Sequence, residues 1–581
     1  MCGVVGCFSK NNSELTNHHL SAVKESIQLL FNRGPDASDI YVSKDNKVIL
    51  GHTRLAIIDP DQKSNQPFTR DNINYLSFNG EIYNFKEIAS SYMASESFST
   101  KSDTEVLYFT FVRNKELLRE VEGMYAGSFY DGNSIHLFRD PLGIKPLYYF
   151  EDQDMLFFSS SLKVFKEISL FKNLNLCEMA KCSFIVNGHL DQGLTPYEEV
   201  SEVYPGSIIS FTRGKRKSIS YFSNSQNIFN SKEVSSECFS SIIDSTVKKH
   251  LISDVPIAIM FSAGLDSNLI AKSCSKEIDI NAFTIGLESF KGTQQDEIPL
   301  ARKVAQEENY GFNYEYISDK HLMDCFDKFL IDLDTLSVDG FNTWLASKFI
   351  SNFGYKVALS GAGGDEIFRG YSNFRYLQIM SKVIELIPQF PRKIFSNCLP
   401  KGSLKLRKLY ESINSNSLEE LYFIKRSIFD LKGLSSFFDI ETAAELYREL
   451  YEYKINNIHS AFKNRTDINI SGLEFHFYCK NQLIKDADWA SMAHSLELRV
   501  PFVDMTFFKK AIAFRNNLEL DNKAKYYNLY EPLINKKLFE KTKTGFGLPI
   551  LRIIGDTNDY EFNYKKYIEL VYHAVTGHRI S

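Results

Sequence analysis

Short β-type runs alternate with turns along roughly the first 200 residues. They predict β-strands at Cys2–Phe8, Lys47–Leu50, Leu55–Ile58, Tyr75–Phe78, Ser134–Phe138, Leu147–Phe150 and Met155–Ser159. Helical spacing of apolar residues occurs between some of them, at His19–Phe31 and Thr104–Val112. Many strands with few helices favour an α+β domain that is rich in antiparallel pairs.

A polar segment at 224–236, rich in Asn, Ser and Lys, marks a domain boundary. Beyond it, predicted strands alternate with helices, as in the series Ser235–His250, Val255–Phe261, Ile280–Gly286, Pro299–Glu308 and Tyr355–Leu359. This alternation favours a parallel α/β sheet, and residues 390–493 continue as a mostly helical extension. We therefore predict one domain at 1–222 and a second at 235–554, and we assign no structure to the tail at 555–581.

Composition and charge exclude several classes of protein. A chain of 581 residues exceeds the ~250–300 at which one core stops growing. Its net charge of -5 gives no case for nucleic-acid binding, and no apolar run approaches the ~18–20 residues of a membrane span. The N-terminus lacks the pattern of a secretory signal, and the nine cysteines are scattered without zinc-site spacing. We expect a cytoplasmic protein that binds neither nucleic acid nor membrane.

Cys2 is the first candidate for chemistry. Removal of Met1 would leave a thiol and a free α-amine on one residue, and an α-amine with a pKa of about 8 can activate its own nucleophile. Taken alone, Cys2 is more simply interpreted as an ordinary residue at the start of a strand. Three further groups change that balance. The Arg54 guanidinium could form two hydrogen bonds to a carboxylate, and Asn79 and Gly80 could hold an oxyanion. Asp103 could bind an ammonium group. Each of these residues also has a purely structural interpretation.

The order of these motifs resembles the glutaminase domain of class II, N-terminal-nucleophile glutamine amidotransferases. The matching segments are Met1–Gly6, Arg33–Asp36, Gly51–Asp59, Gln66–Phe68, Asn79–Asn84, Ser102–Glu105 and Arg139–Tyr149. The resemblance implies a four-layer αββα sandwich with Cys2 as nucleophile and Asn79 and Gly80 as oxyanion hole. It implies that glutamine is bound by Arg54, Ile57, Glu81 and Asp103. Asn32 stands where many relatives have His, at a position that carries no chemical step.

Two glycine-containing loops indicate an anion site in the second half. The strand at Val255–Phe261 leads through Ser262, Gly264, Asp266 and Ser267 into a helix, so backbone N–H groups converge on one point. Asp266 would there hold Mg²⁺. A second loop, Ser360–Asp365, repeats this plan after the strand at Tyr355–Leu359. Adjacent strands would bring the loops together, and Asp266 and Asp365 would share the metal.

The loops resemble the ATP-pyrophosphatase domain of asparagine synthetases. Further matches lie at Phe283–Leu287, Asp296–Glu297, Ser491–Asp504 and Lys543–Pro549. The resemblance implies that ATP and Mg²⁺ are used to adenylate a carboxylate, which ammonia from glutamine then attacks. It places the nucleotide at Phe261, Ser262, Gly264, Asp266, Ser267, Ile285, Ser360, Gly361 and Asp365. It suggests that Lys525 stabilises the transition state of adenylation, and Lys523 is the alternative candidate for that role. A homodimer is also compatible with the sequence.

Two positions in the glycine-containing loops depart from the family pattern. Ala263 replaces a glycine but keeps the N–H donor. Ala362 replaces a glutamate that serves the acceptor half-reaction, and a methyl group can accept no proton. The leading hypothesis is a glutamine-dependent asparagine synthetase. The alternative is the same chemistry on another carboxylate, such as a uronic acid sugar of a surface polysaccharide. A catalytically silent homologue and a β-lactam-forming synthetase are disfavoured by the intact set of Cys2, Arg54, Asn79 and Asp103.

Overall fold

The computed structural model describes residues 2–580 except 12, 213–214, 223–225, 263, 398–401, 459–461, 463, 519, 521 and 531–559. The strands are β1 (Cys2–Ser9), β2 (Ala37–Val42), β3 (Val48–Arg54), β4 (Tyr75–Ile82), β5 (Gly123–Tyr130), β6 (Ser134–Arg139), β7 (Tyr148–Glu151), β8 (Met155–Ser159), β9 (Val200–Glu202), β10 (Ser207–Thr212), β11 (Lys215–Ser220), β12 (Ile257–Met260), β13 (Asn281–Leu287), β14 (Gly311–Ile317), β15 (Val357–Leu359) and β16 (Glu497–Arg499).

The helices are α1 (Asn17–Leu29), α2 (Phe85–Tyr92), α3 (Asp103–Arg113), α4 (Lys163–Glu167), α5 (Glu178–Asn187), α6 (Gln226–Phe229), α7 (Phe239–His250), α8 (Leu265–Cys274), α9 (Ile298–Glu307), α10 (Asp319–Asp332), α11 (Phe341–Ser351), α12 (Gly364–Phe368), α13 (Ser372–Leu386), α14 (Gln389–Asn397), α15 (Leu404–Asn414), α16 (Leu418–Arg426), α17 (Leu431–Leu434), α18 (Ile440–Asn456), α19 (Thr466–Leu473), α20 (Ile484–Met492), α21 (Met505–Asn517), α22 (Lys523–Asn528) and α23 (Tyr560–Thr576). A π-helical stretch, Glu474–Leu483, joins α19 to α20.

The N-terminal half is a sandwich of two antiparallel sheets between helices. One sheet has the order β2-β3-β1-β8-β7-β9, and the other has the order β11-β10-β6-β5-β4. Side chains alternate across β1, so Val4 and Phe8 join the core between the sheets while Val5 and Cys7 face the core beneath α1 and α4. Helices α2 and α3 cover the outer face of the second sheet. The predicted four-layer αββα arrangement is confirmed.

The second half contains a parallel sheet with the order β14-β13-β12-β15-β16. Its central strands, β12 and β15, are short apolar runs buried between helices, as parallel strands require. They pair directly, with Ala258 opposite Ala358. The loops that follow these two strands therefore leave the same edge of the sheet, as the sequence predicted. The helical extension predicted at 390–493 is present as α14 to α20.

The two halves contact each other through charged groups. Asp488 on α20 pairs with Arg33 at 2.8 Å and with Lys145 at 3.3 Å, and all three side chains are buried. A more exposed pair joins Lys356 to Asp36 at 2.8 Å. The tail left unassigned from sequence contains α23, where the Ala574 carbonyl accepts a hydrogen bond from Lys166 at 2.8 Å. Within the described residues, no helix is both long and apolar enough to span a membrane.

The prediction of a strand at Leu55–Ile58 was wrong. The chain leaves β3 after Arg54, because that guanidinium binds the carbonyls of the following residues, including Asp59 at 2.5 Å, and holds them in a loop. The Asp36 carboxylate stabilises the same loop by accepting the Ala56 N–H at 2.7 Å. The sequence did not predict strands β2, β5, β9, β10, β11, β14 and β16. In the parallel sheet, β14 is a mostly half-buried edge strand and β16 has only three residues.

Candidate functional site

Cys2 is the first residue of β1 and lies opposite Arg54 of β3. Its backbone N–H donates to Asn79 Oδ1 at 2.9 Å, and its carbonyl accepts from Arg33 Nε at 3.2 Å. Burial raises the pKa of the Cys2 thiol, against the opposing influence of the Leu55 N–H and the Arg54 charge. A neutral, buried thiol therefore stands beside a guanidinium and a side-chain amide.

Asn79 and Gly80 lie inside β4, and both can donate hydrogen bonds. The buried Asn79 Nδ2 has no partner among the described residues, which is costly unless a ligand accepts from it. Gly80 has φ 142°, and a Cβ on it would lie 2.0 Å from the Met124 carbonyl oxygen. The strand pairing therefore requires glycine at 80 and places its backbone next to the free amide donor, a suitable arrangement for an oxyanion.

The predicted glutamine-binding residues surround this strand. Arg54 is held by acceptors in the loop after β3, among them the Asp61 carbonyl at 2.8 Å and Asn65 Oδ1 at 2.7 Å. Asp103 begins α3 and accepts the Ile82 N–H at 2.9 Å, and burial raises its pKa to about 6. Ile57 is buried in the loop after β3.

Glu81 connects this site to the second half of the chain. Burial, and then the charge of Glu497, raise the pKa of the Glu81 carboxyl well above its usual range. Its Oε2 is buried and has no partner among the described residues. Arg499, which donates to Glu497 at 2.5 Å, offers its own carbonyl to the Ser360 N–H at 2.9 Å. The charges of Glu497 and Arg499 on β16 thus both act on Glu81, while the backbone of Arg499 binds the second glycine loop.

The first glycine loop is closed by serine hydroxyls. Gly264 N–H donates to Ser262 Oγ at 3.1 Å, and Ser267 Oγ donates to the Ser262 carbonyl at 2.8 Å. Phe261 precedes the loop and donates its N–H to the Phe283 carbonyl at 2.8 Å, which ties it to β13. Ile285 lies further along the same strand and is buried. Ala263 lies outside the described residues.

The two loops touch at glycines. A Cβ on Gly361 would lie 2.6 Å from Asp266 Cβ, and a Cβ on Gly364 would lie 2.1 Å from Asp266 Oδ1. Gly363 has φ 96°, a left-handed conformation that favours glycine. These glycines are therefore the reason that the second loop can approach Asp266 so closely.

Asp266 and Asp365 share one cation, Lys523 of α22. Lys523 Nζ donates to Asp365 Oδ1 at 2.5 Å and also binds Asp266, which in addition accepts from the Tyr527 hydroxyl. Burial raises the pKa of Asp266 although Lys523 opposes that effect. Burial alone would lower the pKa of Lys523, but the two carboxylates outweigh it and raise that pKa.

Lys525 does not take part in this contact. It lies two residues further along α22, where its side chain is exposed, because residues i and i+2 of a helix do not share a face. The structure therefore selects the competing Lys523 as the lysine between the aspartates. The segment Lys543–Pro549, which contributed to the sequence resemblance, lies outside the described residues.

Glu366 is a buried carboxylate next to the second loop that sequence reasoning did not single out. Its Oε1 accepts from the Tyr371 hydroxyl at 2.6 Å, and its Oε2 has no partner among the described residues. The acidic pair Asp365–Glu366 directly after a glycine loop was the available signal. Ala362 lies in the same loop and donates its N–H to Ser360 Oγ at 3.3 Å.

An N-terminal-nucleophile sandwich joined to a parallel α/β sheet with two facing glycine loops defines a two-domain glutamine amidotransferase. A protein-family model for the glutamine amidotransferase domain matches residues 1–222, and one for asparagine synthase matches residues 239–560. The chain therefore belongs to the asparagine synthase family.

Named relatives agree with this assignment. The chain is 29% identical to asparagine synthetase [glutamine-hydrolyzing] 1 of Bacillus subtilis, over 95% of this chain and 87% of that protein. It is 27% identical to asparagine synthetase B of Escherichia coli, over 64% of this chain and 65% of that protein. It is 28% identical to the asparagine synthetase of Zea mays, over 64% of this chain and 61% of that protein.

Proposed function

We propose that the chain is a glutamine-dependent asparagine synthetase that hydrolyses glutamine, adenylates aspartate with ATP and aminates the product. The observation that carries the proposal is the position of β16. The charges of Glu497 and Arg499 on this strand act on Glu81 of the glutaminase site, and the Arg499 carbonyl accepts the Ser360 N–H of the phosphate loop. One three-residue strand therefore connects the two sites, which suits the use at one site of nitrogen released at the other.

In the glutaminase half, removal of Met1 converts the nitrogen of Cys2 into an α-amine that takes the thiol proton. The thiolate then attacks the glutamine amide carbon, and Asn79 Nδ2 with the Gly80 N–H holds the developing oxyanion. When the adduct collapses, the C–N bond breaks, the α-ammonium returns its proton to the leaving nitrogen and ammonia departs. Water then hydrolyses the thioester to glutamate and restores the thiol. Arg54 binds the substrate carboxylate and Asp103 its ammonium group. Ile57 and Glu81 complete the binding site, and a reducing cytoplasm keeps the thiol free.

In the synthetase half, the backbone of the Ser262–Ser267 loop and the start of α8 bind the ATP phosphates. Lys523 is placed to move from its two aspartates onto the phosphate at which pyrophosphate leaves. The carboxylates of Asp266 and Asp365 are hard oxygen donors that suit Mg²⁺, so these residues would hold it. Bound there, the ion would offset phosphate charge. Phe261, Ile285, Ser360 and Gly361 surround the nucleotide.

Ala362 supports a second candidate with the same chemistry. A methyl group in place of a carboxylate widens the acceptor side of the loop and removes a charge that would repel an acidic substrate. A larger carboxylate, such as a uronic acid sugar, would then replace aspartate. Free aspartate remains the leading acceptor, because the relatives that match along the chain are named for asparagine synthesis.

The test is an acceptor screen on the full-length enzyme with ATP and glutamine, in which AMP and pyrophosphate are measured. Aspartate should give stoichiometric AMP and asparagine. Product release with a sugar acid, and none with aspartate, would overturn the leading acceptor while keeping the ligase chemistry. Glutaminase activity without AMP formation from any carboxylate would contradict both candidates.

A further inference from the structure

The end of α13 and the following α14 expose a group of large apolar side chains, which we call the apolar tip: Leu386, Ile387, Phe390, Ile394 and Phe395. Their exposed fractions are 79%, 41%, 74%, 56% and 63%. Single exposed apolar residues are common, but five large ones that are exposed within the segment 386–395 are unusual and indicate an interaction site.

The orientation of α14 shows that this exposure is fixed by the fold. The helix turns its polar residues inward, since Arg392 and Ser396 are buried. Arg392 Nη1 donates to the carbonyls of Ile413 at 2.8 Å and Ser415 at 2.6 Å, which satisfies acceptors at the end of α15. Asn414 Nδ2 donates to Ser396 Oγ at 2.9 Å. The polar face is therefore anchored and the apolar face is presented to the outside.

Basic residues accompany the apolar tip. Arg375, Lys382 and Lys393 are exposed, and Glu385 is the acidic residue in 372–397. Arg375, Ile379, Lys382 and Leu386 follow the helical spacing that places side chains on one face of α13. The exposed positions of α13 and α14 thus include both large apolar side chains and an excess of basic ones.

We propose that the apolar tip is a docking surface for an anionic lipid membrane, on which the protein lies without spanning it. This proposal departs from the expectation from sequence that the protein binds no membrane. Phe and Leu side chains would enter the boundary between headgroups and acyl chains, and the basic residues would contact anionic headgroups. A second copy of the chain fits this surface less well, because a twofold contact would bring Arg375, Lys382 and Lys393 of both copies together. Charge complementarity therefore favours the lipid.

The test is co-sedimentation of the full-length protein with phosphatidylglycerol vesicles and with phosphatidylcholine vesicles. The wild-type protein should bind the anionic vesicles at least about tenfold more strongly, and added salt should weaken the binding. The triple variant L386S/F390S/F395S and the double variant K382E/K393E should each lose about tenfold or more in partitioning. The matched control Ile331→Ser, at a 68% exposed residue on α10, should bind normally.

Unchanged glutaminase activity and thermal unfolding would show that the variants remain folded. Absence of vesicle binding by the wild-type protein would overturn the proposal, as would a triple variant that binds as well as the control. A change from dimer to monomer in the triple variant, without any effect on vesicle binding, would assign the apolar tip to a second copy instead.

Discussion

The backbone nitrogen of Cys2 donates to Asn79 Oδ1 at 2.9 Å, while Asn79 Nδ2 is buried without a partner among the described residues. One amide side chain thus positions the nitrogen that is proposed to become the α-amine and leaves a donor available for a substrate. This relationship links the proposed nucleophile to the proposed oxyanion site through a single group on β4, so the two cannot move independently.

Replacing Cys2 with Ala should abolish glutamine-dependent product formation and leave ammonia-dependent formation intact, because only the first requires the thiol. Both reactions are measured as AMP release with the same acceptor. Cys7→Ala is the matched control, since Cys7 lies on the same strand but faces the core beneath α1. Glutamate release by the Cys2 variant at the wild-type rate would refute the assignment of the nucleophile.

Lys523→Met should lower pyrophosphate release by about 10²-fold or more, because it removes the cation next to the transferring phosphate. Lys525→Met, on the same helix but exposed, should have little effect.

Asp365→Asn should also remove pyrophosphate release while glutaminase activity persists. Equal losses in the two lysine variants, or parallel loss of glutaminase in any of them, would indicate a structural defect rather than a role in adenylation.

The sequence was sufficient to predict the two-domain fold and the contact between the two glycine loops. Each loop follows a strongly apolar strand, and neighbouring parallel strands end at the same edge of a sheet. It could not decide between Lys523 and Lys525, since both are lysines at the start of one short helix and only the tertiary contact to Asp266 separates them. Phe390 and Phe395 illustrate a second limit. Apolar periodicity indicates an amphipathic helix but does not show which face is covered.

The apparent KM for glutamine should fall as the pH rises through about 6. Burial raises the pKa of Asp103 from its usual range to about 6, so the carboxylate that binds the substrate ammonium is mostly protonated below that pH. Initial glutaminase rates between pH 5 and pH 8 would give this dependence. Asp103→Asn should raise KM and remove the pH dependence in this range, and a variant that keeps the wild-type profile would exclude Asp103 as its source.

Asp488→Asn should destabilise the contact between the two halves far more than Lys356→Gln. The first change leaves Arg33 and Lys145 buried without their carboxylate, which costs about 3–5 kcal/mol. The second breaks the partly exposed pair with Asp36, which contributes about 0–1 kcal/mol. Urea unfolding midpoints of both variants would measure the difference. Because Arg33 also binds the Cys2 carbonyl, the Asp488 variant should lose glutaminase activity under conditions in which the Lys356 variant retains it. Similar unfolding midpoints and similar glutaminase activities in the two variants would contradict the prediction.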